Sequence, residues 1–132
     1  AIAERRDLPA SSEIYVAEIN LDAVTAAAPL ETRRAQPLPR FPFVVRDLSI
    51  LVANSLSAET VRVTIRSAAP ETLVQVREFD RYEGKGVPDG KVSLSFRLTF
   101  QSLERTLTDD EVSAAMTAIV IALKQVHGAE QR

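Results

Sequence analysis

Hydrophobic and polar positions alternate most regularly between Lys91 and Gln101, KVSLSFRLTFQ. Leu94, Phe96, Leu98 and Phe100 share one parity, and Ser93, Ser95, Arg97 and Thr99 share the other. Successive side chains of a strand point to opposite faces, so the stretch predicts a central antiparallel strand with one apolar and one wet face. The apolar face needs a cover, and two segments of helical period can supply it. The first runs from Ser57 to about Ala69. Ser57 is its N-cap, Leu56 staples to Val61, and Val61, Ile65 and Ala68 or Ala69 form its stripe before Pro70 ends it. The second runs from Thr108 to His127. Thr108 and Glu111 make a capping box, Leu107 staples to Val112, and Asp109 and Asp110 suit the positive end of the dipole. Val112, Met116, Ile119, Leu123 and Val126 form its stripe, and Gly128 stops it.

Three further strands complete the pattern. Phe43 to Ala53 carries Val44, Leu48, Ile50 and Val52 on one parity. Thr72 to Tyr82 alternates poorly, because Phe79 lies opposite in parity to Val74, Val76 and Tyr82, which predicts a bulge or an edge position. Glu83 to Gly90, EGKGVPDG, is a hairpin loop, and Ala129 to Arg132 forms a short last edge strand. The order strand, helix, strand, strand, helix, strand predicts an α+β domain of ferredoxin-like βαββαβ type over residues 43–132: a four-stranded antiparallel sheet with two helices on one face. Upstream, Ala1 to Glu13 reads as loop and Ile14 to Leu21 as a strand, with Asp22 capping a turn over Ala23 to Ala28 that Pro29 stops. One strand and one turn cannot bury both faces, so residues 1–28 read as the end of a preceding domain. Residues 29–42 hold Pro29, Pro37, Pro39 and Pro42 and read as an extended linker.

Composition narrows the function classes. The formal net charge is -2 with both signs interspersed, so no bulk attraction to nucleic acid or membrane is expected. Without cysteine there is no thiol nucleophile, thiolate metal site or disulfide. The longest apolar run, Ala118 to Leu123, is far too short to span a bilayer, and the first residues lack the apolar centre of a secretory signal. The chain does not start with methionine, and a piece of a larger protein is expected. No phosphate-binding loop, HExxH or GxSxG motif occurs. The single histidine, His127, sits where a helix dipole favours it, and Asp109, Asp110 and Glu111 are explained by the first turn of a capped helix. No metal or cofactor is expected in this fragment, and catalysis by it alone is not expected. Arg97 with Ser93, Ser95 and Thr99, and Arg46, Arg77, Arg81, Tyr82 and Lys85 nearby, then read either as a solvated sheet face or as a contact surface for RNA, and a small-ligand or protein-interaction module without RNA binding is the alternative.

FPFVVRDLSILV, then FDRYEGKGVPDGKVSLSFRLTFQSLERTLTDDEV, then a terminal helix closing on HGAEQR resemble the ferredoxin-fold anticodon-binding domain at the C-terminus of bacterial phenylalanyl-tRNA synthetase beta subunits. The resemblance runs from about Phe41 to Arg132. It implies a domain that holds the anticodon stem-loop of the tRNA for phenylalanine, in a cytoplasmic heterotetramer of two alpha and two beta subunits. The alpha subunit would carry the ATP- and magnesium-dependent active site. By position in the motif, Arg46, Tyr82, Lys85 and Lys91 become RNA-binding candidates, with Ser93, Ser95, Arg97 and Thr99 on the sheet face. Phosphate contacts are expected to dominate affinity, Arg97 among them. A structural ion pair between Arg46 and Asp47 is the rival reading of that pair. Gly84, Gly86 and Gly90 are expected to serve hairpin geometry. Glu78 stands where the family often has an apolar residue, which leaves the facing of its strand open.

Overall fold

The structure is a computed structural model that describes residues 15–27 and 38–132. The chain divides into two compact units after Gln36. In the first, the described residues form one helix, α1 (Leu21–Ala27), whose side chains are exposed. Residues 15–20, expected as most of a strand, are not extended into a sheet. No neighbouring strand among the described residues offers them a ladder. Asn20, rather than Asp22, caps the helix: its Oδ1 accepts from Ala23 N at 3.0 Å, and its carbonyl accepts from Val24 N at 3.1 Å. Leu21 is therefore helical. The remaining expectations for residues 1–14 and 28–37 lie outside the described residues.

In the second unit β1 (Val44–Ala53), α2 (Ala58–Ala68), β2 (Leu73–Tyr82), β3 (Lys91–Phe100), α3 (Asp109–His127) and β4 (Glu130–Gln131) follow in that order. The strands make one antiparallel sheet in the order β2-β3-β1-β4. This is the predicted ferredoxin-like arrangement. Leu48, Ile50 and Val52 of β1 join Val92, Leu94, Phe96, Leu98 and Phe100 of β3 in a single buried core with Val61 and Ile65 of α2 and Val112, Ala115, Ile119 and Leu123 of α3. Both helices thus lie on the same side of the sheet.

Local chemistry sets the helix ends. Ser57 Oγ accepts from Thr60 N at 3.1 Å at the start of α2. At α3 the capping box closes reciprocally, with Thr108 N donating to Glu111 Oε2 at 2.9 Å and Glu111 N to Thr108 Oγ1 at 3.4 Å. Gly128 ends α3 at φ +61°, and its N–H reaches Lys124 O at 2.9 Å. A side chain in that left-handed conformation would be strained, which explains the glycine. His127 Nε2 meets Thr64 Oγ1 at 2.8 Å and so joins the end of α3 to α2. One stripe residue was misplaced by the period alone: Val126 is 63% exposed, and Ala115 is buried instead.

Candidate nucleic-acid interface

The face of the sheet away from α2 and α3 is assembled from alternate residues of three strands. β1 supplies Val45, Asp47, Ser49, Leu51 and Ala53, and β3 supplies Thr99, Arg97, Ser95, Ser93 and Lys91 in direct register with them. β2 supplies Gln75 opposite Thr99, Arg77 opposite Arg97, Asp80 opposite Ser95 and Tyr82 opposite Ser93. No helix of this unit covers that side.

β2 is an edge strand with register shifts at Leu73/Gln75 and Glu78/Asp80. The second shift decides the site. Counting by twos from the buried Val76 would turn Tyr82 toward the helices. One additional residue reverses the parity, as a β-bulge does, and brings Tyr82 to the open face. Phe79 is the unpaired residue of the shift, and it is 49% exposed. The Arg97 guanidinium lies over its ring, 5.3 Å from the centroid. Glu78 keeps the opposite parity, beside Phe96, but at the sheet edge it remains in solvent.

Arg97 is also clamped from the β1 side. Its Nε donates to Asp47 Oδ1 and its Nη2 to Asp47 Oδ2, both at 2.8 Å. Those hydrogen bonds hold the Asp47 carboxyl below its usual range and raise Arg97 above its own. Lys91 Nζ donates to Glu130 Oε1 at 2.5 Å across to β4, and this contact lowers the Glu130 carboxyl. Ser49 and Ser95 share a hydroxyl–hydroxyl hydrogen bond of 2.9 Å. Ser93 and Ser95 are only 4% and 7% exposed, so these short side chains form the floor of the face between larger neighbours.

A second cation–aromatic pair spans the sheet. Arg132 follows β4 at one edge, its N donating to Ser49 O at 3.0 Å, while its guanidinium lies 5.9 Å from the ring centroid of Tyr82 at the opposite edge. The hairpin loop between β2 and β3 closes around the same ring. Tyr82 Oη donates to Lys85 O at 3.4 Å. Gly84, at φ +152°, leaves no room for a side chain: a Cβ would fall 2.8 Å from Tyr82 Oη. The loop therefore depends on glycine there to bring Lys85 beside the tyrosine.

The predicted site residues thus divide. Tyr82, Lys91, Ser93, Ser95, Arg97 and Thr99 share the open face, and Lys85 stands exposed at its rim. Arg46 does not join them. It has the parity of the core face, opposite Leu98, and its guanidinium pairs with Asp109 in the first turn of α3. The rival Arg46–Asp47 ion pair is not formed either, because neighbours on a strand point to opposite sides and Asp47 belongs to Arg97. Three residues of the face were not among the residues expected to contact RNA: Asp47, Phe79 and Arg132. Only Phe79 left a signal, its broken parity. Among the described residues Arg77, Lys85 and Arg132 make no ion pair, whereas Lys91 and Arg97 are neutralised by carboxylates. No group of three or more His, Cys, Asp or Glu side chains among the described residues is placed to hold a metal ion.

The ferredoxin-fold anticodon binding domain is the family whose profile matches residues 39–132. The chain is 40% identical over 121 residues to the phenylalanine–tRNA ligase beta subunit of Shouchella clausii, covering 92% of this chain and 15% of that protein. It is 39% identical over 131 residues to the beta subunit of Symbiobacterium thermophilum, covering 99% and 14%, and 36% identical over 129 residues to that of Dechloromonas aromatica, covering 98% and 16%. The chain therefore spans about one-seventh of the length of these relatives.

Proposed function

Since the chain belongs to the ferredoxin-fold anticodon-binding domain family, we propose that it binds the anticodon stem-loop of the tRNA for phenylalanine, as part of a phenylalanine–tRNA ligase beta subunit. The observation that carries this reading is the open sheet face, where Tyr82 and Phe79 expose their rings beside cations. Unpaired bases stack on such rings, and cations without carboxylate partners take phosphates. In this reading Arg77, Lys85 and Arg132 contact phosphate, and Tyr82, on the buried floor of Ser93 and Ser95, takes a base. Thr99 and Lys91 line the same surface, Lys91 with its charge already balanced by Glu130.

The same reading extends to the whole protein. Residues 1–28 end a preceding domain and 29–42 link it to residues 43–132. The complete ligase is a heterotetramer of two alpha and two beta subunits that charges tRNA using ATP and magnesium, in the cytoplasm. In this reading that chemistry belongs to the alpha subunit, and this chain contributes tRNA binding. No helix among the described residues is long and apolar enough to cross a membrane.

The test is a titration of the chain with an anticodon stem-loop RNA over a range of salt concentrations. Binding should weaken with salt at a slope of about 0.7 per phosphate contact, and Lys85→Ala should lower that slope by about one contact. Heat on titration with free phenylalanine, with no response to RNA, would instead establish the small-ligand alternative.

A further inference from the structure

Of the cations on the open face, Arg97 has the most constrained surroundings, and they are the wrong surroundings for phosphate. We propose that Asp47, Arg97 and Phe79 form a stacking platform for one unpaired nucleobase, separate from Tyr82, and that Arg97 is not a phosphate anchor. This rests on the RNA-binding reading above and refines it.

Charge is the first argument. Both oxygens of Asp47 accept from Arg97, so the pair is neutral, and a phosphate approaching the guanidinium would meet the carboxylate as a like charge. Asp47 also offsets the repulsion between Arg97 and Arg77, which face each other directly across β3 and β2. Shape is the second. A bidentate clamp fixes the plane of the guanidinium, whose central carbon lies over the Phe79 ring. The Arg97 side chain is still 53% exposed. A planar, delocalised and weakly hydrated cation in that setting is a surface on which bases stack. Position is the third. Tyr82 is the register partner of Ser93, and Arg97 lies four residues further along β3, about 13 Å at roughly 3.3 Å per residue. That separation exceeds the roughly 3.4 Å of one stacked step, so the two places serve different bases. Arg77, unpaired and alongside, is left to hold the intervening phosphate.

The experiment uses the full chain and a stem-loop RNA carrying 2-aminopurine at successive loop positions, titrated at several salt concentrations. Arg97→Lys keeps the charge and loses the plane. It should weaken binding about tenfold and abolish the fluorescence quench at one loop position, with the salt slope unchanged, and Phe79→Ala should do the same. Asp47→Asn releases the guanidinium and should steepen the salt slope by about one contact. Matching melting temperatures for Arg97→Lys and Asp47→Asn exclude misfolding as the cause. Should Arg97→Lys bind like the unsubstituted chain while Arg97→Ala loses one contact from the slope, Arg97 is a phosphate anchor and the platform is wrong. A slope loss in Lys85→Ala, with no response to any change at Asp47, Phe79 or Arg97, sinks the platform alone. Absence of RNA binding by the unsubstituted chain removes both readings. Variants that alter self-association in place of RNA binding assign the face to a second copy of the chain and overturn the proposal.

Discussion

Phe96 and Arg97 are adjacent in β3. Phe96 is sealed beneath α2 and α3, whereas Arg97 keeps half of its side chain in solvent and takes its partners from the strands on either side. The same contrast holds across the whole sheet. On the covered face the side chains are interchangeable in kind: Val, Leu, Ile and Phe fill one volume, and their alternation is almost unbroken along β1 and β3. On the open face Asp47, Ser49, Tyr82, Lys91, Ser95 and Arg97 each have a particular partner, and the alternation is interrupted by the bulge at Phe79. Burial rewards any apolar group that fits, so it writes a repetitive pattern. A recognition surface rewards particular groups in particular places, and its pattern looks irregular.

Deletions separate the two faces most sharply. Removing Arg97 shifts every later residue of β3 by one and exchanges the two faces, so that chain should fail to fold by circular dichroism and heat. Removing Phe79 takes out only the unpaired residue. Asp80 and Tyr82 keep their present facing, and the melting temperature should move by only a few degrees, about 1 kcal/mol or less. A large loss of stability on deleting Phe79 would show that the bulge supports the core. Next in size, Phe96→Ala should cost about 3–5 kcal/mol in denaturant unfolding, because a filled site becomes a cavity. Thr108→Ala, which opens the capping box, should cost about 1 kcal/mol.

The smallest effect is a pH dependence. Arg105 first, then the Thr108 backbone and hydroxyl, hold the Glu111 carboxyl at about 2, well below its ordinary 4.5. A carboxyl lowered in the folded state contributes stability that is complete above 4.5 and is lost as pH falls toward 2. Glu111→Gln should therefore be less stable than the parent near neutrality and should converge with it through that acid window. Asp47, lowered by Arg97, shifts in the same direction, so Asp47→Asn should also reduce the acid sensitivity. Parallel pH profiles for parent and variants would contradict this assignment.

The amino-acid order by itself determined the covered half of the protein. The parity of Leu94 to Phe100, the capping residues Ser57 and Thr108 and the stop at Gly128 are local signals, read over a few residues, and they set the number, order and facing of the elements. It also placed Tyr82, Lys85, Lys91 and Arg97 near one another, through resemblance to a known family. Only the tertiary structure decided the partners. Asp47 meets Arg97 across fifty residues, Arg46 turns to Asp109 across sixty-three, and Arg132 crosses the sheet to Tyr82. Those pairings depend on strand register and on one unpaired residue in β2. Register is a property of two strands together, so no single stretch of the chain encodes it.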